Sequence, residues 1–224
     1  MNPFGVSDDQ LELMKKHVSL VIEANKKTNL TRIDSFEEGM LLHVEDSLCG
    51  LPEMNDAPKG RYADLGTGAG FPGIPLAIAT GRNTTLVDTR YKKTAVLDEI
   101  INELDLADQI STETNRIELF AEEEAKAFSV VTARALAKLS VLMELASPLL
   151  QKHGRLICYK ANVDTGEFNH AKTLESKLGM RLVSDRKFLL SDDETNRRII
   201  CFEKTGNPKI KLPRHVGFAQ KKPL

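Results

Sequence analysis

Leu11, Met14, Val18, Val21 and Ile22 recur at helical spacing behind Ser7 and Gln10, a pair that reads as a capping box. A second helical pattern, "DSFEEGMLLHVEDSL", starts near Asp34 and runs to about Leu48. Glycine and proline in "CGLPEMNDAPKGR" then mark a link into a new unit. From Arg61 the pattern alternates. "RYADL", "TTLVD", "QISTET", "FSVVTA" and "GRLICYK" read as strands, the last entered at Gly154. Helical stretches "GIPLAIAT", "KKTAVLDEIINELDL" and "LSVLMELASPLL" fall between them, and "KTLESKLG" follows. "RLVSDRKFLL" and "NRRIICFEK" close the series as a hairpin across "SDDETN". Strands alternating with helices predict an α/β fold with right-handed crossovers. The sheet expected is seven-stranded and mostly parallel, with an antiparallel last strand and N-terminal helices outside it. The units expected are a helical extension over 1–58, a core over 59–204 and a basic tail over 205–224.

Composition narrows the class only a little. The 224 residues are 41% hydrophobic and 28% charged, as in ordinary globular proteins, and no apolar run approaches a membrane span. Three cysteines without C-x-x-C spacing and five scattered histidines argue against a disulfide framework or a metal site. The cysteine usage fits a reducing compartment, and "MNPFGVSDDQ" lacks the regions of a signal peptide, so a cytoplasmic location is expected. Net charge is −1, but no acid follows Glu203, so the last 21 residues carry +6. Such a tail suits an anionic partner such as nucleic acid; a solvated terminus is the competing reading.

The densest chemistry lies in "DLGTGAGFPGIPLAI", where Gly68, Gly70 and Gly73 spell G-x-G-x-x-G after a strand and before a helix. Glycines there let backbone approach a ligand closely, and a helix N-terminus adds free N–H groups. Asp64, at the strand end, suits a ligand with a cationic amino group and disfavours a pyrophosphate. Asp88 ends the second strand, where a carboxylate accepts from ribose hydroxyls; helix capping is its alternative role. Arg134 interrupts apolar sequence at the carboxyl end of a strand, the edge where open sheets bind ligands. His43, Asp46 and Ser47 share one helix face, either as an intrahelical contact or as a contact with the core beside the cofactor mouth. "RYKK" adds charge just past Asp88.

These segments resemble the bacterial small-subunit (16S) ribosomal RNA guanine-N7 methyltransferases, also called the glucose-inhibited division protein B family. The resemblance rests on "DLGTGAGFPGIPLAI", "NKKTNLT", "HVEDSL", "NRIE", "TARALAKL" and "LPRHVGFAQKKPL", and covers most of the chain. The chain departs from the family pattern at Ala24, Thr132 and Ala161. The resemblance implies a Rossmann-like class I S-adenosylmethionine methyltransferase acting on 16S ribosomal RNA or the small ribosomal subunit, expected to be a monomer. It implies cofactor contacts from Gly66 and Phe71 in the first loop, Ile117 and Glu118 at the adenine, and Arg134 closing the site; the glycine turn and the second strand end add Gly68 and, at the ribose, Asp88. RNA contacts would come from His43, Asp46, Ser47, Arg90, Lys92, Lys93, Lys211 and Arg214. Two other functions remain open at the level of sequence: an NAD-dependent oxidoreductase, suggested by the three glycines, and a non-catalytic RNA-binding or assembly factor.

Overall fold

The computed structural model describes residues 5–224. Its centre is a seven-stranded sheet of order β3-β2-β1-β4-β5-β7-β6. The strands are β1 (Arg61–Leu65), β2 (Thr84–Asp88), β3 (Ile110–Thr114), β4 (Phe128–Arg134), β5 (Leu150–Lys160), β6 (Met180–Leu189) and β7 (Asn196–Lys204). β1 to β5 pair in parallel. β7 lies between β5 and β6 and is antiparallel to both, as expected of the last strand. The strand order reverses between β1 and β4, which makes the carboxyl ends of these two strands the topological switch point.

Sequence explains the frame. β1, β2 and β4 are almost wholly buried, as strands covered on both faces must be. The first helix, Asp8–Asn25, begins with the expected capping box between Ser7 and Gln10 and buries Met14, His17, Val18 and Val21. Gln10 also reaches across to donate to the Ile78 carbonyl at 2.8 Å, which ties this helix to the core. Residues 36–48 are helical throughout but not uniform: Phe36–Gly39 and Asp46–Leu48 are α, and Met40–Glu45 between them is π-helical. The wider turn carries His43, and π-turns occur often at functional positions.

Several elements differ from the sequence reading. The glycine- and proline-bearing link contains a short helix, Leu51–Asn55, started by Pro52 in its first turn. Helix Ile117–Glu123 follows β3, and helix Thr165–Thr173 precedes Glu175–Leu178, where only one helix was expected. β5 starts at Leu150, upstream of Gly154, across a register irregularity against β4. The 205–224 segment lies against the core: Ala219 is buried, and Ile210, Leu212 and Leu224 pack on the same apolar cluster as helix Leu139–Ala146.

Candidate functional site

The carboxyl edge of the parallel strands collects most of the residues singled out from sequence. Leu65 pairs with Ala133, so Gly66 and Arg134 leave the sheet side by side at the switch point. Asp88 pairs with Thr114, which brings the segment entering Ile117 and Glu118 next to this acid.

The glycine loop divides its work. A Cβ on Gly73 would collide with Leu86, so Gly73 lets the helix Gly73–Thr80 sit against β2. Gly66 has φ +69°, and a Cβ there would lie 2.8 Å from Leu136 Cδ1. Gly68 has φ +62° and faces open space, with nothing nearer than Lys93 Nζ at 3.8 Å. Gly68 is thus the position at which a ligand could meet bare backbone. Its N–H donates to Asp88 Oδ2 at 3.2 Å, and Arg90 N–H donates to Asp88 Oδ1 at 3.0 Å. Asp88 therefore braces the loop and is not the cap of the next helix, whose N-cap is Arg90. Each carboxylate oxygen still has a lone pair to offer.

Asp64 requires a correction. It is fully buried, its oxygens accept from Gly73 N–H at 3.1 Å and from the Thr132 hydroxyl at 2.6 Å, and burial raises its pKa to about 6. A carboxylate so enclosed ties β1, β4 and the loop together; it does not meet a ligand's amino group. Thr132, a departure from the family pattern, is the residue that completes this tie, with Tyr62 OH 2.7 Å from its hydroxyl.

Phe71 is buried and lies between two imidazoles, His17 at 4.2 Å and His43 at 4.3 Å between ring centroids, both stacked. This sandwich joins the N-terminal helices to the glycine loop. His17 Nε2 lies 3.1 Å from the Ala69 carbonyl, and burial lowers its pKa to about 3. His43 also drops to about 3, through burial and the neighbouring Arg134 charge. Arg134 donates to His43 Nδ1 at 3.1 Å, so the ring's Nε2–H faces the Thr31 hydroxyl, also at 3.1 Å. The imidazole is neutral and both nitrogens are committed.

Arg134 is the hub. Besides His43 it donates to the Leu42 carbonyl and to Asp46 Oδ2, each at 3.0 Å. Asp46, 3% exposed, accepts at its other oxygen from Arg197 Nε at 3.0 Å. His43 and Asp46 thus converge on a core arginine. Ser47 is buried; its hydroxyl donates back to the His43 carbonyl, and its own carbonyl accepts from Tyr159 OH at 2.6 Å. Gly50 is needed beside it, because any Cβ there would collide with the Tyr159 hydroxyl. Arg134, Arg197, His43, Asp46, Tyr159 and Lys160 line a cleft of about 570 Å³ at the ends of β4 and β5. Arg197, Tyr159 and His17 carried no signal in the sequence.

The remaining residues lie outside this cleft. Arg90, Lys92 and Lys93 line a groove of about 650 Å³ with Lys27 and the 74%-exposed Tyr91. Ile117 is buried in the core, and Glu118 accepts from Gly217 N–H of the tail at 2.6 Å. Lys211 is exposed. Arg214 binds the buried Glu144 through two hydrogen bonds of 2.7 and 2.6 Å, so its charge is already matched within the fold.

A family model described as rRNA small subunit methyltransferase G matches residues 10–196. The chain belongs to this family. Among similar proteins, the ribosomal RNA small subunit methyltransferase G of Desulfitobacterium hafniense (strain Y51) is 38% identical over 222 residues, 98% of this chain and 91% of its own length. That of Bacillus pumilus (strain SAFR-032) is 35% identical over 98% of this chain and 92% of its own. Among solved structures, cofactor-bound Rv0187 from MTB superposes with a TM-score of 0.61 at 16% identity, covering 85% of this chain and 90% of that one. A point mutant of MtNAS gives 0.57 at 16% identity, covering 88% and 76%. The fold is that of the Rossmann-like class I methyltransferases.

Proposed function

We propose that the protein transfers the methyl group of S-adenosylmethionine to N7 of a guanine in 16S ribosomal RNA, acting as a cytoplasmic monomer on the RNA or on the small subunit. The observation that carries this reading is the placement of the Arg134 cleft at the switch point, one strand from the open backbone of Gly68. A cofactor held at the glycine loop and a base entering the cleft would meet there. Gly66, Gly68 and Phe71 would form the cofactor's loop, Asp88 would accept from its ribose, and Ile117 and Glu118 would flank its adenine. S-adenosylmethionine supplies an electrophilic methyl on a positively charged sulfur.

Guanine N7 needs little else. Its lone pair lies in the ring plane and no proton has to leave it. Alignment and exclusion of water can therefore supply most of the catalysis. The cleft's titratable groups agree with this. His43 is neutral with both nitrogens engaged, and Asp46 is balanced by Arg134 and Arg197, so neither stands ready as a general base. Arg134 would close the site, and the His43, Asp46 and Ser47 segment would position it from the helical side. Phosphates would fall to Arg90, Lys92 and Lys93, with exposed Tyr91 offering a face for a base, and to Lys211 on the tail. Arg214 serves the tail's own docking instead.

Labelled S-adenosylmethionine incubated with the protein and small subunits should deliver label to the RNA, and calorimetry should show S-adenosylmethionine binding without NAD binding. NAD binding alone would point to an oxidoreductase; S-adenosylmethionine binding without transfer would point to an assembly factor.

A further inference from the structure

The sheet edge opposite the cleft holds a second concentration of positive charge. There β4 and β5 begin and β7 ends, and Lys126, Lys152 and Lys204 line one pocket of about 300 Å³ together with Gly206 and Asn207. Lys204 is 3% exposed. Its ammonium donates to the Ser147 hydroxyl and, at 3.2 Å, to the Leu178 carbonyl. These are two neutral acceptors for three donors. Two carboxylates next to these lysines in sequence are committed elsewhere: Glu203 to His153 and Arg181, and Glu124 to Arg61. Among the described residues none of the three lysines has an ion-pair partner. A buried ammonium without an opposite charge is unfavourable, and the Lys126 charge near it makes it worse.

Burial, reinforced by the Lys126 charge, lowers the Lys204 pKa to about 8, so the ammonium still carries its proton at neutral pH. Lys126 is held in place by its own backbone: it has φ +59°, and its N–H donates to the Pro148 carbonyl at 2.9 Å. β4 separates this edge from the cleft by seven residues, roughly 20 Å of extended chain. The pocket is therefore independent of the methyl-transfer site.

We propose that Lys126, Lys152 and Lys204 form a phosphate-binding site, occupied by the phosphate group of an RNA backbone or by a free phosphate ion. A tetrahedral group with several acceptor oxygens and up to two negative charges matches three lysines lining one pocket better than one carboxylate would. The space holds such a group with its waters, since a water claims about 30 Å³.

The full-length protein, titrated at pH 7 with millimolar sodium phosphate, should show a saturable rise in thermal midpoint that sodium chloride of equal ionic strength does not give. Lys126→Gln combined with Lys152→Gln removes two exposed charges without touching the core, and should weaken phosphate binding at least about tenfold. Lys204→Met should abolish the response and raise the phosphate-free midpoint, because an apolar side chain replaces an unmatched charge. A single-stranded RNA oligonucleotide that displaces phosphate from this site assigns it to RNA backbone; one that does not assigns it to the free ion. A midpoint shift no larger than with chloride, or one that persists unchanged in the double variant, would overturn the proposal.

Discussion

Acidification from pH 7 to pH 5 should destabilise this protein through the two histidines that clasp Phe71. His17 and His43 both fall from an ordinary 6.5 to about 3 in the folded chain. Between those values the unfolded chain binds protons that the native one refuses, so stability is complete above pH 6.5 and is lost as pH falls below it. Each histidine then accounts for about 2 kcal/mol of loss between pH 7 and pH 5, about 4 kcal/mol together. Asp64 works in the opposite direction. Its pKa rises from 3.8 to about 6, so the buried carboxylate takes up a proton in the same window and stability grows. That gain is about 1 kcal/mol, which leaves a net loss of about 3 kcal/mol. Urea denaturation at the two pH values reads this as a lower midpoint at constant slope. His17→Gln and His43→Gln should each remove about half of the histidine contribution to the pH dependence, whatever they do to stability at pH 7. In the double variant acidification should become mildly stabilising. A double variant that keeps the full loss would refute the assignment of the pH dependence to this sandwich.

Gly68→Ala should lower S-adenosylmethionine affinity more than tenfold by calorimetry, at a backbone cost of about 1–2 kcal/mol for a left-handed residue; unchanged affinity would take this loop out of the cofactor site. Asp46→Asn leaves Arg134 and Arg197 without their carboxylate and should cost about 3 kcal/mol, since both arginines are largely but not fully enclosed. Scanning calorimetry should register it as a midpoint drop of roughly 6–12 °C, and a drop under roughly 2 °C would mean that water already screens the cluster. The tail should split in two under substitution. Arg214→Ala strands the buried Glu144 and should lower the thermal midpoint. Lys211→Ala, Lys221→Ala and Lys222→Ala together should leave the midpoint alone and flatten the salt dependence of RNA binding in a filter assay, whereas an unchanged slope would make those lysines mere solvated charge.

The sheet was legible because its strands are short apolar runs bounded by glycine, proline or charge: β1, β2 and β7 begin and end where the pattern does. Helix Thr165–Thr173 was not, because it buries only Ala171 and so shows no apolar stripe. The π-turn at Met40–Glu45 escaped for a related reason, since one wider turn shifts the phase of the apolar positions without breaking the helical pattern. In the site, Arg134 announced itself as a charge closing an apolar strand. Arg197 did not, because its approach to Asp46 depends on β7 inserting between β5 and β6, a pairing no local pattern encodes. Asp64 was visible but misread: the strand-end position is right, yet Thr132 and Gly73 enclose it. The basic tail was read as one stretch of charge, whereas a buried glutamate claims Arg214 from it.

Nucleoside analysis of small-subunit RNA tests the central claim most directly. RNA from cells lacking this gene, treated as assembled subunits with the purified protein and S-adenosylmethionine, should gain one methyl group on a single guanine. Borohydride reduction and aniline treatment should then cut the chain at that nucleotide, as an N7-methylated ring allows. A methyl group on any other base or ring atom, or no methyl at all from a protein that binds the cofactor, would contradict the account.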